Sequence, residues 1–110
     1  MQISARHLGK TTVFDVSGDV DFANSPQIRR SLLHEIQEIR TPRVVLNLGG
    51  VRYIDSSGIA SLVEALKASR DLGSRLVLFG LGDSTREAFE LSRLTKVFEI
   101  YGDEVQALAS

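Results

Sequence analysis

The chain alternates between short apolar runs, which are typical of strands, and longer stretches in which apolar residues recur at helical spacing. Five runs are rich in β-branched and aliphatic residues and predict strands at residues 3–7, 11–17, 43–48, 75–81 and 97–101. Gly9 and Lys10 separate the first two runs and predict a hairpin turn. The third and fourth runs are apolar almost throughout, as in strands that are buried on both faces of a parallel sheet. We expect the third strand to end at Gly49 and Gly50.

Two helices are predicted on either side of the third strand. The first has Ser25 as its N-cap and Pro26 as its first helical residue, and it must end before Pro42. Its apolar stripe comprises Ile28, Leu32, Leu33, Ile36 and Ile39. The second begins at Ile59 and stops near Gly73. Its apolar face comprises Ile59, Leu62, Val63 and Leu66.

Two more helices are predicted in the last third of the chain from the spacing of their caps. Ser84 and Glu87 have capping-box spacing for a third helix that continues to about residue 93. Asp103 and Gln106 have the same spacing at the start of a terminal helix.

This alternation predicts a single α/β domain over residues 1–110, with a mostly parallel sheet of about five strands and about four helices. Sites in such sheets lie at the carboxyl ends of the strands. The loop after the second strand carries Asp19 and Asp21, and the loop after the third carries residues 55–58. If the two strands are parallel neighbours, both loops lie on one rim of the sheet.

Composition restricts the classes of function. The 110 residues are 43% hydrophobic and 25% charged, which is typical of one globular domain. The net charge of -1, with basic residues spread along the chain, argues against direct nucleic-acid binding. The absence of cysteine excludes disulfides and thiolate metal ligands. No apolar stretch predicts membrane insertion or a secretory signal, so we expect a cytoplasmic protein.

The segment Asp55-Ser56-Ser57-Gly58 is the most informative motif, because it leads from an apolar strand into an amphipathic helix. Serine and aspartate are common N-caps, so this segment has a purely structural interpretation. A helix N-terminus also favours a negative group such as a phosphate, since its backbone N–H groups are free. The spacing alone is compatible with both interpretations.

Two glycine-containing segments resemble phosphate-binding loops only in part. Gly9-Lys10-Thr11 matches the end of a P-loop, but Ser4 occupies the place of the first glycine and a strand follows where a helix is required. Gly80-Leu81-Gly82 precedes a helix, but Thr85 replaces the third glycine of a dinucleotide-binding loop. Direct nucleotide binding is therefore the weakest of the functional hypotheses, and no cofactor is predicted.

Catalytic and metal sites are not predicted either. His7 and His34 are isolated in the sequence and have no ligand spacing. Neither Ser56 nor Ser57 has the glycine two residues earlier that a hydrolase nucleophile elbow requires. We therefore expect a protein that is not an enzyme and whose serine pair is a substrate.

Four segments, taken in order, resemble the STAS domain of bacterial anti-sigma factor antagonists over nearly the whole chain. They are residues 18–21, 43–48, 53–59 and 94–98, and residues 55–58 are the specific part. The resemblance implies that Ser56 accepts a phosphate, and that Ser57 and Gly58 form the turn into the helix with Ser57 as the better cap. The implied partner-binding residues are Asp19, Asp21, Asp55, Ser56, Ser57, Gly58 and Ile59. Asp21 has an alternative interpretation as a loop aspartate that serves only a turn.

The resemblance also implies the partners. The unmodified protein is expected to bind an anti-sigma factor that is also a serine kinase, which releases a sigma factor. Phosphorylation of Ser56 would end this binding, and a serine phosphatase of the PP2C type would restore it.

Ala60 stands where a glycine is common in the antagonists. The stretch from Gly58 to Leu62 also resembles STAS subunits that dock on the ATPase of bacterial ABC lipid-transport complexes. In this alternative the helix face is a permanent assembly surface and the serines are only caps.

Overall fold

Five strands form one sheet, and their order in space is their order along the chain. The computed structural model describes residues 1–110. The strands are β1 (Gln2–Leu8), β2 (Thr11–Val20), β3 (Arg43–Ile54), β4 (Arg75–Phe79) and β5 (Glu99–Tyr101). The helices are α1 (Ser25–Leu33), α2 (Ser56–Asp71), α3 (Asp83–Leu91) and α4 (Glu104–Ala109). A π-helical segment, His34–Ile39, continues α1.

The sheet is mostly parallel, as the sequence predicts. β1 and β2 form an antiparallel hairpin, and every other neighbouring pair is parallel. Gly9 forms the hairpin turn with φ of 63°, a backbone conformation that glycine adopts without steric cost. The hairpin and the α/β class are therefore confirmed.

Helices cover both faces of the sheet, but unequally. Residues of α1, α2 and α3 share a core of 20 buried residues with one face. A smaller cluster on the other face comprises Val13, Val45, Val77, Phe79 and Ala107, of which Ala107 belongs to α4. Val44 and Leu46 lie in the larger core and Val45 in the smaller one, so β3 is buried on both faces as predicted.

Gly49 and Gly50 do not end the third strand, so this prediction was wrong. β3 continues to Ile54, and its pairing with β2 shifts register between Asp15 and Ser17. A Cβ on Gly50 would lie 2.9 Å from Cβ of Ser17. The glycine therefore permits close approach of two backbones within the sheet.

The first helix follows its predicted stripe only in part. Ile28, Leu32 and Ile36 are fully buried, whereas Ile39 is 58% exposed. The hydrogen bonds widen to i→i+5 in the π-helical segment, which rotates the residues beyond Ile36 away from the predicted face. Arg40, in the left-handed conformation, ends the helix before Pro42 as expected.

Three predicted helix starts are displaced, and α2 begins at Ser56, three residues before the predicted Ile59. Asn24 occupies the N-cap of α1 in place of Ser25, and Gly82 occupies that of α3 in place of Ser84. In α4 the prediction is confirmed, because Asp103 Oδ1 accepts a hydrogen bond from Gln106 N–H at 2.9 Å. The last two strands are two residues shorter than predicted, and α3 ends at Leu91, two residues before its predicted end. The longest helix, α2, has 16 residues, and no helix combines the length and apolar character needed to cross a bilayer.

Candidate functional site

The parallel pairing of β2 and β3 brings the two predicted loops together at one rim of the sheet. Val20 is aligned with Ile54 at the ends of these strands. The next residue, Asp55, donates its backbone N–H to the carbonyl of Val20 at 3.1 Å. The expectation that both loops share a rim is thereby confirmed, although β2 extends far enough to include Asp19 in the strand.

Asp55 joins the two loops through its carboxylate. Oδ1 accepts a hydrogen bond from Gly58 N–H at 3.0 Å and so caps α2. Oδ2 accepts a hydrogen bond from Phe22 N–H, also at 3.0 Å. One side chain therefore fixes both the start of α2 and the loop between β2 and α1.

Ser56 is the first residue of α2 and is exposed. Its hydroxyl forms no hydrogen bond within the chain, so the oxygen is free to react or to be covered by a partner. The backbone N–H groups of Ser56 and Ser57 also have no acceptor within the chain. These groups and the helix dipole make the position favourable for a negatively charged group.

Ser57 is not the cap of α2, which corrects the expectation. It is the second helical residue, and the carboxylate of Asp55 holds the capping position. The Ser57 carbonyl accepts a hydrogen bond from Ser61 Oγ at 3.1 Å, which ties the first turn to the next.

Gly58 and Ile59 support the site from below. Both are buried, and Ile59 belongs to the main core. A Cβ on Gly58 would lie 2.6 Å from the Val20 carbonyl oxygen and 2.7 Å from Cγ1 of Ile54. The close packing of Gly58 on Val20 and Ile54 holds the start of α2, and with it Ser56, in place. Because Gly58 and Ile59 expose almost no surface, they are poorly placed for direct contact with a partner, contrary to the sequence-based expectation.

Asp21 orders its own loop. Its Oδ1 accepts hydrogen bonds from Ala23 N–H at 3.1 Å and Asn24 N–H at 3.2 Å, as in an Asx turn. Asp19 forms an ion pair with Arg52, with Oδ1 and Nη2 3.5 Å apart. The rim therefore carries three aspartates, and neither Asp19 nor Asp21 is hydrogen-bonded to Ser56.

Two exposed aromatic residues border the same rim and were missed as contact residues. Phe22 is 80% exposed and Tyr53 is 51% exposed. Exposed aromatic side chains are enriched at the centres of protein interfaces. The sequence signal was their position, because Phe22 directly follows Asp21 and Tyr53 lies two residues before Asp55.

A groove of about 510 Å³ runs from Phe22 between α1 and α2. Ser57 and Ala60 lie on its α2 side. Arg29 and Glu64 also line it and form an ion pair of 3.8 Å. We define the rim surface as Asp19, Asp21, Phe22, Tyr53, Asp55, Ser56 and Ser57.

A network of charged side chains lies away from this surface, on the sheet face that α4 covers. Arg6 donates to both carboxylate oxygens of Asp15 at 2.7 and 2.8 Å and also to Glu104 of α4. These hydrogen bonds lower the pKa of Asp15 and of Glu104 below their ordinary values. Asn47 donates a further hydrogen bond to Asp15 at 2.8 Å. The network ties α4 to the sheet.

Comparison with known proteins identifies the family. The family model described as the STAS domain matches residues 2–107. This chain belongs to the STAS-domain family. Among its STAS relatives, an anti-sigma-B factor antagonist of Listeria monocytogenes is 33% identical over 101 residues, covering 91% of this chain and 86% of that protein. The resemblance carried by the four sequence segments is therefore confirmed.

Solved STAS structures share the fold. An anti-sigma factor antagonist of Mycobacterium paratuberculosis has a TM-score of 0.88 at 21% identity, covering 98% of this chain and 91% of that one. The unphosphorylated form of the antagonist SpoIIAA has a TM-score of 0.76 at 16% identity, with 98% and 94% coverage. The phosphorylated form of SpoIIAA, from Bacillus, scores 0.77 at 19% identity, with 98% and 97% coverage. This STAS domain thus resembles both forms of SpoIIAA to nearly the same degree.

Proposed function

We propose that this STAS domain is an anti-sigma factor antagonist whose binding is controlled by phosphorylation of Ser56. With Ser56 unmodified, the rim surface binds an anti-sigma factor that is also a serine kinase, and a sigma factor is released. The phosphorylated form does not bind, and a serine phosphatase of the PP2C type restores it. The names of the curated relatives, which include an anti-sigma-B factor antagonist, support the antagonist role.

The observation that carries the proposal is the free, exposed hydroxyl of Ser56 at the start of α2. A kinase must bring the γ-phosphorus of ATP in line with the acceptor oxygen, which requires an unobstructed approach. Ser57 is half-buried beside it and Ser61 is buried, so neither offers an equally open oxygen.

Phosphorylation would change the rim surface mainly through its charge. A phosphoserine carries about −1.5 to −2 charges near neutral pH. The rim surface already holds the carboxylates of Asp19, Asp21 and Asp55, of which only Asp19 has an ion-pair partner, so a phosphate would add to an excess of negative charge. A partner surface that packs closely on Phe22 and Ser56 would lose affinity because it would have to desolvate the phosphate.

The domain itself should tolerate the phosphate. The free N–H groups of Ser56 and Ser57 and the dipole of α2 favour a negative charge at this position by about 0.3–1 kcal/mol. Because Ser56 makes no hydrogen bond through its hydroxyl, no internal contact is broken. The switch therefore acts on the interface and leaves the fold intact.

Binding measurements with charge variants test this proposal. Ser56→Asp should weaken binding to the anti-sigma factor kinase at least about tenfold in calorimetric titration, since buried uncompensated charge commonly costs more than about 1.4 kcal/mol. Its thermal unfolding midpoint should stay within about 4 °C of wild type, as for other surface changes. Ser56→Ala should bind like wild type and accept no phosphate.

A matched control is Gln37→Glu, which adds one negative charge at an exposed position on the π-helical segment. Its affinity should equal that of wild type, because Gln37 lies away from the rim surface. Equal affinities for Ser56→Asp and Gln37→Glu would contradict the switch.

The alternative function, docking on the ATPase of an ABC lipid transporter, rests on Ala60, which is exposed and lines the groove beside α2. In that case the groove is the contact and the state of Ser56 is irrelevant. Binding of a transporter ATPase that persists in Ser56→Asp but is lost in Ala60→Arg would favour this alternative over the antagonist.

A further inference from the structure

A second site lies at the end of the sheet opposite Ser56. A cavity of about 420 Å³ opens between the β1–β2 turn, the π-helical segment and the residues that precede β3. Among the ten residues that line it, only Ile39 and Pro42 have apolar side chains. A cavity of this composition suits a small polar ligand.

Glu35 is the central residue of this cavity. Its side chain lies in the π-helical segment, and the residue is only 7% exposed. Oε2 accepts hydrogen bonds from Thr12 Oγ1, at 2.8 Å, and from Thr41 Oγ1. Oε1 forms no hydrogen bond within the chain. Glu35 Oε1 remains accessible to solvent, unlike the buried Thr85 hydroxyl, so it can accept a hydrogen bond from a donor that the chain itself does not supply.

The hydrogen bonds around Glu35 have a defined direction. The single proton of the Thr12 hydroxyl is donated to Glu35, so this hydroxyl can only accept from its other neighbour. That neighbour is Nδ1 of His7, 3.2 Å away, which must therefore carry a proton. These hydrogen bonds run from His7 to Thr12 and from Thr12 to Oε2 of Glu35. Oε1 is therefore the oxygen that remains available as an acceptor.

The π-helical segment places Glu35 where a regular helix would not. The carbonyl of Glu35 accepts a hydrogen bond from Thr41 N–H at 3.2 Å, a bond that spans six residues. Arg40 adopts a left-handed conformation with φ of 64° to make this closure. Such wide turns are rare and occur frequently at functional sites.

Two exposed basic residues line the cavity together with Glu35. Lys10 and Arg40 line it, are exposed and form no ion pair. A simple cation would be repelled by these two groups, and a simple anion would be repelled by Glu35. A molecule that carries an ammonium group and a carboxylate satisfies both parts of the cavity.

We propose that this cavity binds a small zwitterion of the α-amino acid type. Its ammonium group donates to Oε1 of Glu35, and its carboxylate faces Lys10 and Arg40. Since the cavity lies at the amino ends of β2 and β3, while Ser56 follows the carboxyl end of β3, binding does not depend on the proposed phosphorylation.

The test is a thermal-unfolding screen of the full chain with the twenty common amino acids, each at millimolar concentration, followed by calorimetric titration of those that stabilise it. Propylamine and acetate, which carry only one of the two charges, serve as matched probes. At least one amino acid should raise the unfolding midpoint of the wild type, and neither probe should do so. Stabilisation by no amino acid, or equal stabilisation by acetate, would overturn the proposal.

Variants locate the site. Glu35→Gln keeps the size and an acceptor oxygen but removes the charge, and it should weaken binding at least about tenfold. Lys10→Gln, in the exposed hairpin turn, should weaken binding about two- to fivefold without affecting the fold, whereas Lys96→Gln should have no effect. If Glu35→Gln does not fold, Lys10→Gln and Lys96→Gln decide the question, and equal affinities for these two would contradict the proposal. Ser56→Asp should bind the amino acid like wild type.

Discussion

Asp55 and Phe22 are joined by a hydrogen bond of 3.0 Å between the Phe22 backbone N–H and Oδ2 of the carboxylate, although 33 residues separate them. The other oxygen of the same carboxylate caps α2 through Gly58 N–H. The position of an exposed aromatic side chain is thereby fixed relative to the first turn of the helix that carries Ser56. The Asp55 carboxylate therefore joins the β2–α1 loop and the start of α2 within the rim surface.

Replacing Asp55 should therefore have two effects. Asp55→Ala removes the cap of α2 and the acceptor of Phe22 N–H, and it should lower the free energy of unfolding by about 1–2 kcal/mol. Urea denaturation measures this change. The matched variant Ser57→Ala removes a hydroxyl that accepts and donates no hydrogen bond, so it should cost no more than about 0.5 kcal/mol. Equal losses in the two variants would show that Asp55 is not the cap.

Gly58 should not tolerate a side chain. Gly58→Ala places a methyl group against the carbonyl of Val20 and against Ile54, which are parts of the sheet that cannot move independently. Overpacking of this kind should destabilise the protein by about 1–3 kcal/mol. Gly82→Ala is the control, since a Cβ there meets nothing within 4 Å. Thermal unfolding of both variants decides the matter, and a Gly58→Ala protein as stable as Gly82→Ala would be inconsistent with the close packing of α2 on β2.

The Arg6 network should make stability depend on acid pH. The folded-state pKa values of Asp15 and Glu104 are lowered, so both groups stabilise the fold above their unfolded values of about 3.9 and 4.3. This contribution is lost as the pH falls through the lower folded values. In Arg6→Gln the stability should be reduced above about pH 5, and the difference from wild type should shrink below about pH 4.

Urea denaturation between neutral pH and acid pH measures this dependence. Arg86→Gln, at an exposed residue of α3 without an ion pair, is the control and should follow the wild-type curve. Because the three charged side chains remain 31 to 40% exposed, high salt should reduce the effect of Arg6→Gln. A constant difference between Arg6→Gln and wild type at all pH values would exclude the network as its source.

Apolar runs, helical periodicity and cap spacing together predicted the order and type of the strands and α-helices, because these signals are local. They failed where long-range contacts override local preference. In the sequence alone, Gly49 and Gly50 indicate the end of a strand. In the structure, pairing with β2 continues past them, so β3 extends to Ile54. The exposure of Ile39 could not be predicted, because the π-helical turn is closed by the contacts of Glu35 with Thr12 and Thr41 rather than by local propensity.

In the candidate site too, local sequence predicted some features, while others depend on the three-dimensional structure. The motif from Asp55 to Gly58 was recognisable because the transition from strand to helix has a local signature. The choice of Asp55 over Ser57 as the cap required the geometry of the turn, in which Ser57 is already helical. Phe22 was missed because its position after Asp21 was the one signal that a single sequence offered, and that position alone does not distinguish an exposed loop aromatic from a buried one.

The central claim is that Ser56 is the phosphate acceptor that controls binding. The most direct measurement is intact mass and peptide mapping after incubation with ATP and the anti-sigma factor kinase that binds the chain, followed by titration of the modified protein with the same kinase. We predict that the chain gains one phosphoryl group, that this group lies on Ser56, and that the modified protein binds at least about tenfold more weakly. A phosphoryl group on another residue, a chain that accepts none, or full affinity of the Ser56-phosphorylated form would contradict the account.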